Sequence, residues 1–381
     1  MAGFDGVSAP TIALQLYKSG TWTDVASTDI LSMSLIRGRR NPDQPVQAGT
    51  LQVAVNNRTG IYDPDYTAAS TWVVSGSSVL RVGLPCRLRA TWSSTTYDLF
   101  YGYLESPRLN QGVNPSVLFT FADGLASMGR CIAPVLSTTD YATYSGETVS
   151  TRVGRMLDYA NWPSGGSRSV SGFTVTLNGD RQDRSALAII RECANAQAGS
   201  FYVSRSNVAT LEGVGAKFSK VTRVAFSDDG TANTIKYGSL VTATGADGLF
   251  NDASISRAPS KMYRSVYSSS VTANGQRSLS VTAPVSSDTS AQNLSYLFAR
   301  QWADPVTRLT EVQFDGMRIG SLYSDLLALE IGDLTWVKRT TVDARTITYN
   351  LVVEGYQYAF SSQGWQAKLF TSPVNAYTIT I

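Results

Sequence analysis

Apolar and polar residues alternate with a period of two along most of this chain, the spacing of strands that bury one face in a sheet. Residues 12–17 (Ile-Ala-Leu-Gln-Leu-Tyr), 51–55, 99–104, 117–121, 346–353 and 365–370 read as strands of this kind. Turn-forming clusters such as Asn56-Asn57-Arg58-Thr59-Gly60 and Asp228-Asp229-Gly230 lie between them. Three segments carry a helical period instead. One covers about 148–161, with Val149, Val153, Met156, Leu157 and Ala160 on a stripe that stops before Pro163. A second runs from an expected Asp183 cap to Gly199, with Leu187, Ile190, Ala194 and Ala198 on its stripe. The third starts near Asp288 and aligns Ala291, Leu294, Phe298 and Trp302.

An internal echo organises these elements. Leu80-Arg81-Val82-Gly83 leading to Cys86-Arg87-Leu88 is similar to Leu329-Glu330-Ile331-Gly332 leading to Thr335-Trp336-Val337. Tyr97-Asp98-Leu99 followed by Gly102-Tyr103 matches Tyr349-Asn350-Leu351 followed by Gly355-Tyr356, and an aromatic strand closes each copy. A period of about 250 residues is too long for a solenoid or a propeller blade, so the pattern predicts a duplicated β-domain. At roughly 100–200 residues per domain, 381 residues give two to four domains. The resulting expectation is a mainly β chain, α+β overall. Two related barrel or sandwich domains, at 1–130 and within a β-rich region 216–381, flank a small α+β domain at 131–215. Gly83, Gly102, Gly332 and Gly355 mark the repeat.

Composition narrows the chemistry. The chain has no histidine, which removes Ser-His-Asp and Cys-His machinery and every His-ligated metal. Carboxylates remain as acid/base candidates: Glu105, Asp123, Glu311, Asp315, Glu330, Asp333 and Glu354 all sit at or beside strand ends. No pair of them is framed by aromatics as a sugar cleft is, so no catalytic residue is assigned. Asp63-Pro64-Asp65 and Asp228-Asp229-Gly230 do not continue into a calcium loop, and Gly165-Gly166 and Gly245-Ala246-Asp247-Gly248 lack the framing of a phosphate cradle. No metal or cofactor is expected. Cys86, Cys131 and Cys193 have no ligand-like spacing and read as reduced, buried thiols in separate elements.

Charged residues make up 16% of the chain, below the roughly 25% of ordinary soluble proteins, and the net charge is +3. That balance argues against a nucleic-acid-binding footprint. Residues 1–6 lack the features of a secretory signal, and no run reaches the ~18 apolar residues of a membrane span. The one basic run, Arg37-Gly38-Arg39-Arg40, follows a strand at 32–36. It reads either as a solvated turn that keeps an edge from pairing or as a candidate interface in which Arg37, Arg39 and Arg40 bind acidic groups of a neighbouring subunit.

Several stretches then fall into a familiar order: Gly38-Arg39-Arg40-Asn41, Ala48-Gly49-Thr50-Leu51 through Ile61-Tyr62-Asp63-Pro64, Gly102-Tyr103-Leu104-Glu105-Ser106-Pro107, Phe121-Ala122-Asp123-Gly124-Leu125, Leu157-Asp158-Tyr159-Ala160-Asn161-Trp162-Pro163, Ile331-Gly332-Asp333 and Val353-Glu354-Gly355-Tyr356. Together they resemble the minor tail proteins of long-tailed actinobacterial bacteriophages. The resemblance implies a non-enzymatic tail-tip, or baseplate, hub with two tube-type β-domains per chain, assembled in the host cytoplasm as a homotrimer and carried in the virion. It implies as partners the tail tube or distal tail protein, the tape measure protein and other tip or fibre proteins, with DNA passing through the lumen without specific binding. The abundance of Tyr and Trp leaves as a first alternative a receptor- or carbohydrate-binding tail protein, and the carboxylates leave as a second a wall hydrolase that works without histidine.

Overall fold

The computed structural model describes residues 8–134, 144–180, 183–243, 248–257, 261–305, 307–317 and 319–374. Residues 1–6 and the Gly245-Ala246-Asp247 stretch lie outside them. All six expected strands fall within observed ones. The first half contains β1 (Thr11–Lys18), β2 (Thr21–Asp24), β3 (Ile30–Gly38), β4 (Gln47–Asn56), a small ribbon of β5 (Val73–Val74) and β6 (Ser77–Ser78), β7 (Pro85–Trp92), β8 (Thr95–Asn110) and β9 (Ser116–Ala122). Period two appears directly in their burial: Ile12, Leu14 and Leu16 of β1, and Leu51, Val53 and Val55 of β4, point into one core while their neighbours do not.

The middle of the chain is α+β. It contains α1 (Gly124–Arg130), α2 (Val149–Tyr159), β10 (Arg168–Ser169), α3 (Ala186–Asn195), β11 (Ser200–Val203) and β12 (Ala209–Glu212). Helix α2 buries the expected Val149, Val153, Met156 and Leu157, and Thr148 caps it by accepting the Thr151 amide. The cap of α3 is Ser185, which accepts the Ala188 amide, and not the expected Asp183. A serine hydroxyl one residue before the first turn reaches that orphan donor, whereas Asp183 lies too far upstream. The short α1 has too few turns to display a period, and sequence reading missed it.

The second half contains β13 (Thr222–Ser227), β14 (Ile235–Ala243), an excursion of β15 (Asp252–Arg257), β16 (Lys261–Val266), α4 (Ser268–Asn274), β17 (Ser278–Thr282) and α5 (Asp288–Gln301), then β18 (Arg308–Asp315), α6 (Tyr323–Ala328), β19 (Leu334–Thr340), β20 (Thr346–Ser361) and β21 (Gly364–Pro373). Strands β19-β13-β14-β18-β21-β20 form a closed six-stranded barrel, because β20 also pairs with β19. The excursion does not join this barrel. Ile255, Ala283, Val285 and Ala291 share a core with Leu125, Met156, Ile190 and Leu211 of the middle region.

Both halves thread their strands in one order. In the first half the sheet runs β3-β4-β9-β8-β7-β1, and in the second it runs β14-β18-β21-β20-β19-β13. Replacing each strand by its counterpart in chain order converts one into the other. The last position differs in direction, since β1 is antiparallel to β7 and β13 is parallel to β19. The two halves merge into a single thirteen-stranded sheet where β3 pairs antiparallel with β20.

The three cysteines are free and lie in separate elements. Cys86 and Cys193 are buried, but Cys131 is only half-buried, with its thiol donating to the Tyr159 carbonyl at 3.2 Å.

Candidate functional site

The junction between β3 and β20 is where the chain concentrates its unusual chemistry. Two 16-residue strands, β8 and β20, each carry a bulge next to a glutamate, at Glu105 and Glu354. In β20 the bulge marks a change of partner: residues 346–352 pair with β19, and residues 355–361 pair with β3 along the same edge. Gly355 stands opposite Gly38 at the crossing. A Cβ on Gly38 would lie 2.3 Å from the Glu354 carbonyl oxygen, and one on Gly355 would lie 2.5 Å from that of Arg37. Glycine is required at both positions because the two backbones approach within the volume of a methyl group.

Arg37 is 2% exposed. Its guanidinium donates to Glu330 Oε1 at 3.0 Å, to the Val203 carbonyl at 2.6 Å and to the Tyr356 hydroxyl. One side chain of the first half thus holds the α+β region at β11 and the second half at two points. Burial opposes the charge of Arg37, and Glu330 and Tyr356 outweigh that, so its pKa is raised. Arg39 Nε donates to Glu354 Oε2 at 2.7 Å, and the Glu354 Oε1 accepts the Ser372 hydroxyl at 2.6 Å. Arg40 is exposed, with its guanidinium carbon 5.4 Å from the Phe370 ring centroid. Arg37 and Arg39 are therefore engaged within the chain itself and are not the side chains of a solvated turn. Their carboxylate partners lie 293 and 315 residues away in the same chain. A buried guanidinium needs such a partner, and nothing local in the sequence points to it.

Several of the motifs that carried the family resemblance meet at or beside this junction. Asp123 accepts the Gly49 amide at 2.8 Å and the Leu125 amide at 3.0 Å, which ties β4 to the start of α1. A Cβ on Gly124 would sit 2.1 Å from the Trp162 ring. The Glu330 amide donates to Asp333 Oδ2 at 3.0 Å. Burial pushes the Asp123 carboxyl up to about 7, against the opposing pull of the Gly49 amide and of Arg37. The folded state therefore holds a proton that the unfolded chain releases near pH 4. Its contribution to stability is complete below pH ~4 and is lost as pH rises through about 7. Denaturant titrations at pH 4.5 and 7.5 should show up to ~3 kcal/mol of this slope in the native chain and a flatter profile in Asp123→Asn. Identical slopes in the two proteins would contradict the assignment.

Among the repeat-marking glycines, Gly83 (φ 90°) and Gly332 (φ 89°) share one backbone conformation. The Gly83 amide donates to the Leu104 carbonyl and the Gly332 amide to that of Val353, both at 2.8 Å and both just before the bulge. Gly102 and Gly355 are not counterparts, since Gly102 precedes its bulge and Gly355 follows its own. Alternation around a glycine is too degenerate to fix that register.

The remaining strand-end carboxylates are engaged structurally. Glu105 is held by Arg130 through two bonds of 2.6 Å, Glu311 by Lys368 at 3.0 Å, and Asp315 accepts the Met317 amide at 2.9 Å. Asp63 and Asp229 form turns by accepting the amides of Asp65 and Thr231. Among the described residues, no group of three or more His, Cys, Asp or Glu is placed to hold a metal, and no helix is long and apolar enough to cross a membrane.

No protein-family model and no curated protein matches this sequence. Solved structures do match. A tail protein from Neisseria meningitidis MC58 superposes with a TM-score of 0.64 over 96% of both chains at 13% identity. The 43 kDa tail protein of prophage MuSo2 from Shewanella oneidensis gives 0.61 over 97% of this chain and 100% of its own, at 11% identity. The fold is that of phage tail proteins. A component of the Escherichia coli type VI secretion system, described as similar to T4 tail proteins gp27 and gp5, matches with a TM-score of 0.51 over 94% of this chain and 76% of its own, at 10% identity. The tail-protein fold thus extends along nearly the whole chain, and what is shared at this identity is architecture.

Proposed function

We propose that this chain is a structural protein of a bacteriophage tail tip, of the kind found in long-tailed actinobacterial phages. Three copies form a ring that closes the distal end of the tail tube, connects it to tip and fibre proteins, and opens for DNA ejection. The observation that carries this reading is the repeated strand order, fused at β3–β20 into one sheet. Two similar units per chain in a trimer present six similar units, the arrangement that docks on a sixfold tube. Duplication of an ancestral β-domain accounts for the common order and for Gly83 and Gly332. The tail tube or distal tail protein and the tape measure protein meet one face, and tip or fibre proteins the other. The weak net charge of +3 suits a lumen that lets DNA pass without holding it.

The carbohydrate-binding alternative drew on the abundance of Tyr and Trp. Of these, Trp72, Trp365, Tyr62, Tyr323, Tyr356 and Tyr358 are buried and serve the core, which supports the structural reading. Sedimentation of the purified chain should give trimers or closed rings, with no retention of duplex DNA at physiological salt. A stable monomer at high concentration is the result that sinks the reading.

A further inference from the structure

Two strand edges are left open at positions that mirror the internal junction. Strand β14 pairs with β18 along residues 237–243, but on its other side it meets β13 only at Ile235 and Lys236. Strand β8 pairs with β9 out to Asn110, while its β7 side is used only as far as Tyr103 and Leu104. Among the described residues no strand covers either remaining edge. By the common strand order, β14 is the counterpart of β3 and β8 is the counterpart of β20. Those are the two strands that pair inside the chain. The edge that β3 uses on β20 is thus open on β8, and the edge that β20 uses on β3 is open on β14.

We infer that copies of this chain join by strand addition, residues 241–243 of β14 pairing antiparallel with residues 108–110 of β8 in the next copy. The inference rests on the ring proposed above and names its contact. Open edges are hazards that proteins either blunt or cover. Val241 is 48% exposed on this edge, an apolar β-branched side chain that a strand partner would shield. Because the two edges complement each other and not themselves, the contact is heterologous and propagates around a ring.

The internal junction sets the register. Ser34, Leu35 and Ile36 face Ala359, Tyr358 and Gln357. Carried to the counterparts through their own ladders, Ser34 and Ala359 correspond to Val241 and Asn110, and antiparallel succession along β14 then pairs Thr242 with Leu109 and Ala243 with Arg108, the bulge after Val241 lying on the β18 side. Pro107 takes the place of Tyr356, and having no N–H it ends the donor row there. Pairing therefore starts at Arg108, and the proline discourages longer, unspecific addition. In the internal junction the Arg39 amide donates to the Glu354 carbonyl at 3.0 Å. Alternation along the ladder then makes Ser34 and Ala359 a non-hydrogen-bonded pair, the closer kind. Val241 and Asn110 inherit that geometry, which lies within reach of a disulfide.

The test uses the full chain with Cys131→Ser, since Cys86 and Cys193 are buried. Val241→Cys and Asn110→Cys together should link most chains under mild oxidation, giving a ladder that stops at three. Either variant alone should stay unlinked, and an equal mixture of the two single variants should yield nothing larger than dimers. A trimer in sedimentation whose cysteine pair stays reduced overturns this contact and leaves the tail-ring reading standing. A monomer at high concentration overturns both.

Discussion

Gly38→Val should cost ~4 kcal/mol or more of folding stability, the size of effect that point substitutions rarely reach. Two causes act at one atom. Gly38 has φ 91°, a conformation that residues with a Cβ rarely adopt. Its Cβ would also fall 2.3 Å from the Glu354 carbonyl oxygen and 2.4 Å from the Gly355 Cα, both of them backbone atoms that no rotamer change can move. The strands must separate, and with them the row of pairs from Gly355 to Ser361. Gly20→Ala isolates the first cause, because Gly20 has φ 86° and open space around its Cβ position. It should cost only about 1 kcal/mol. Denaturant midpoints of the two variants decide the matter. Equal losses would mean that backbone strain, and not the closeness of β3 and β20, sets the requirement for glycine.

Arg37→Ala should destabilise by ~3–5 kcal/mol, the usual result of breaking a buried ion pair by removing one partner. The loss does not measure the worth of an attraction. It arises because Glu330, the Val203 carbonyl and the Tyr356 hydroxyl lose their common donor in a site where water cannot replace it. Arg37→Lys should rescue little, since one ammonium cannot reproduce a planar fork that reaches three acceptors in different directions. A cycle with Glu330→Gln separates the contributions. If the pair acts as a unit, the double variant loses less than the sum of the singles, and strict additivity would falsify the coupling.

The parts legible in sequence are those whose signal is local. The stripe of Val149, Val153, Met156 and Leu157 gave α2, and the alternation at 12–17 and 51–55 gave β1 and β4. The basic run at Arg37–Arg40 was legible as a cluster, but its partners within the chain were not. Its meaning depends on Glu330 and Glu354, which sequence reading had weighed as acids at strand ends. The excursion at 252–301 was legible as α5 and little else. Its short strands carry no mark that assigns them to the core of Leu125 and Ile190 and not to the barrel beside them. The Gly83–Gly332 match was legible because a positive φ before a strand restricts the residue type, whereas Gly102 and Gly355 matched only by chance of composition.

Sequence alone thus determined the class of element at most positions and the exclusion of imidazole chemistry, and it singled out Gly83 and Gly332, which share a positive φ. Tertiary structure decided that the two halves share a strand order, that β3 leaves its own half to pair with β20, and that Arg37 and Glu330 meet. The division follows from range. The side-chain period that makes a strand or helix is written in neighbouring residues, but the choice of partner for a strand edge is made by segments hundreds of residues apart, through backbone groups common to every residue.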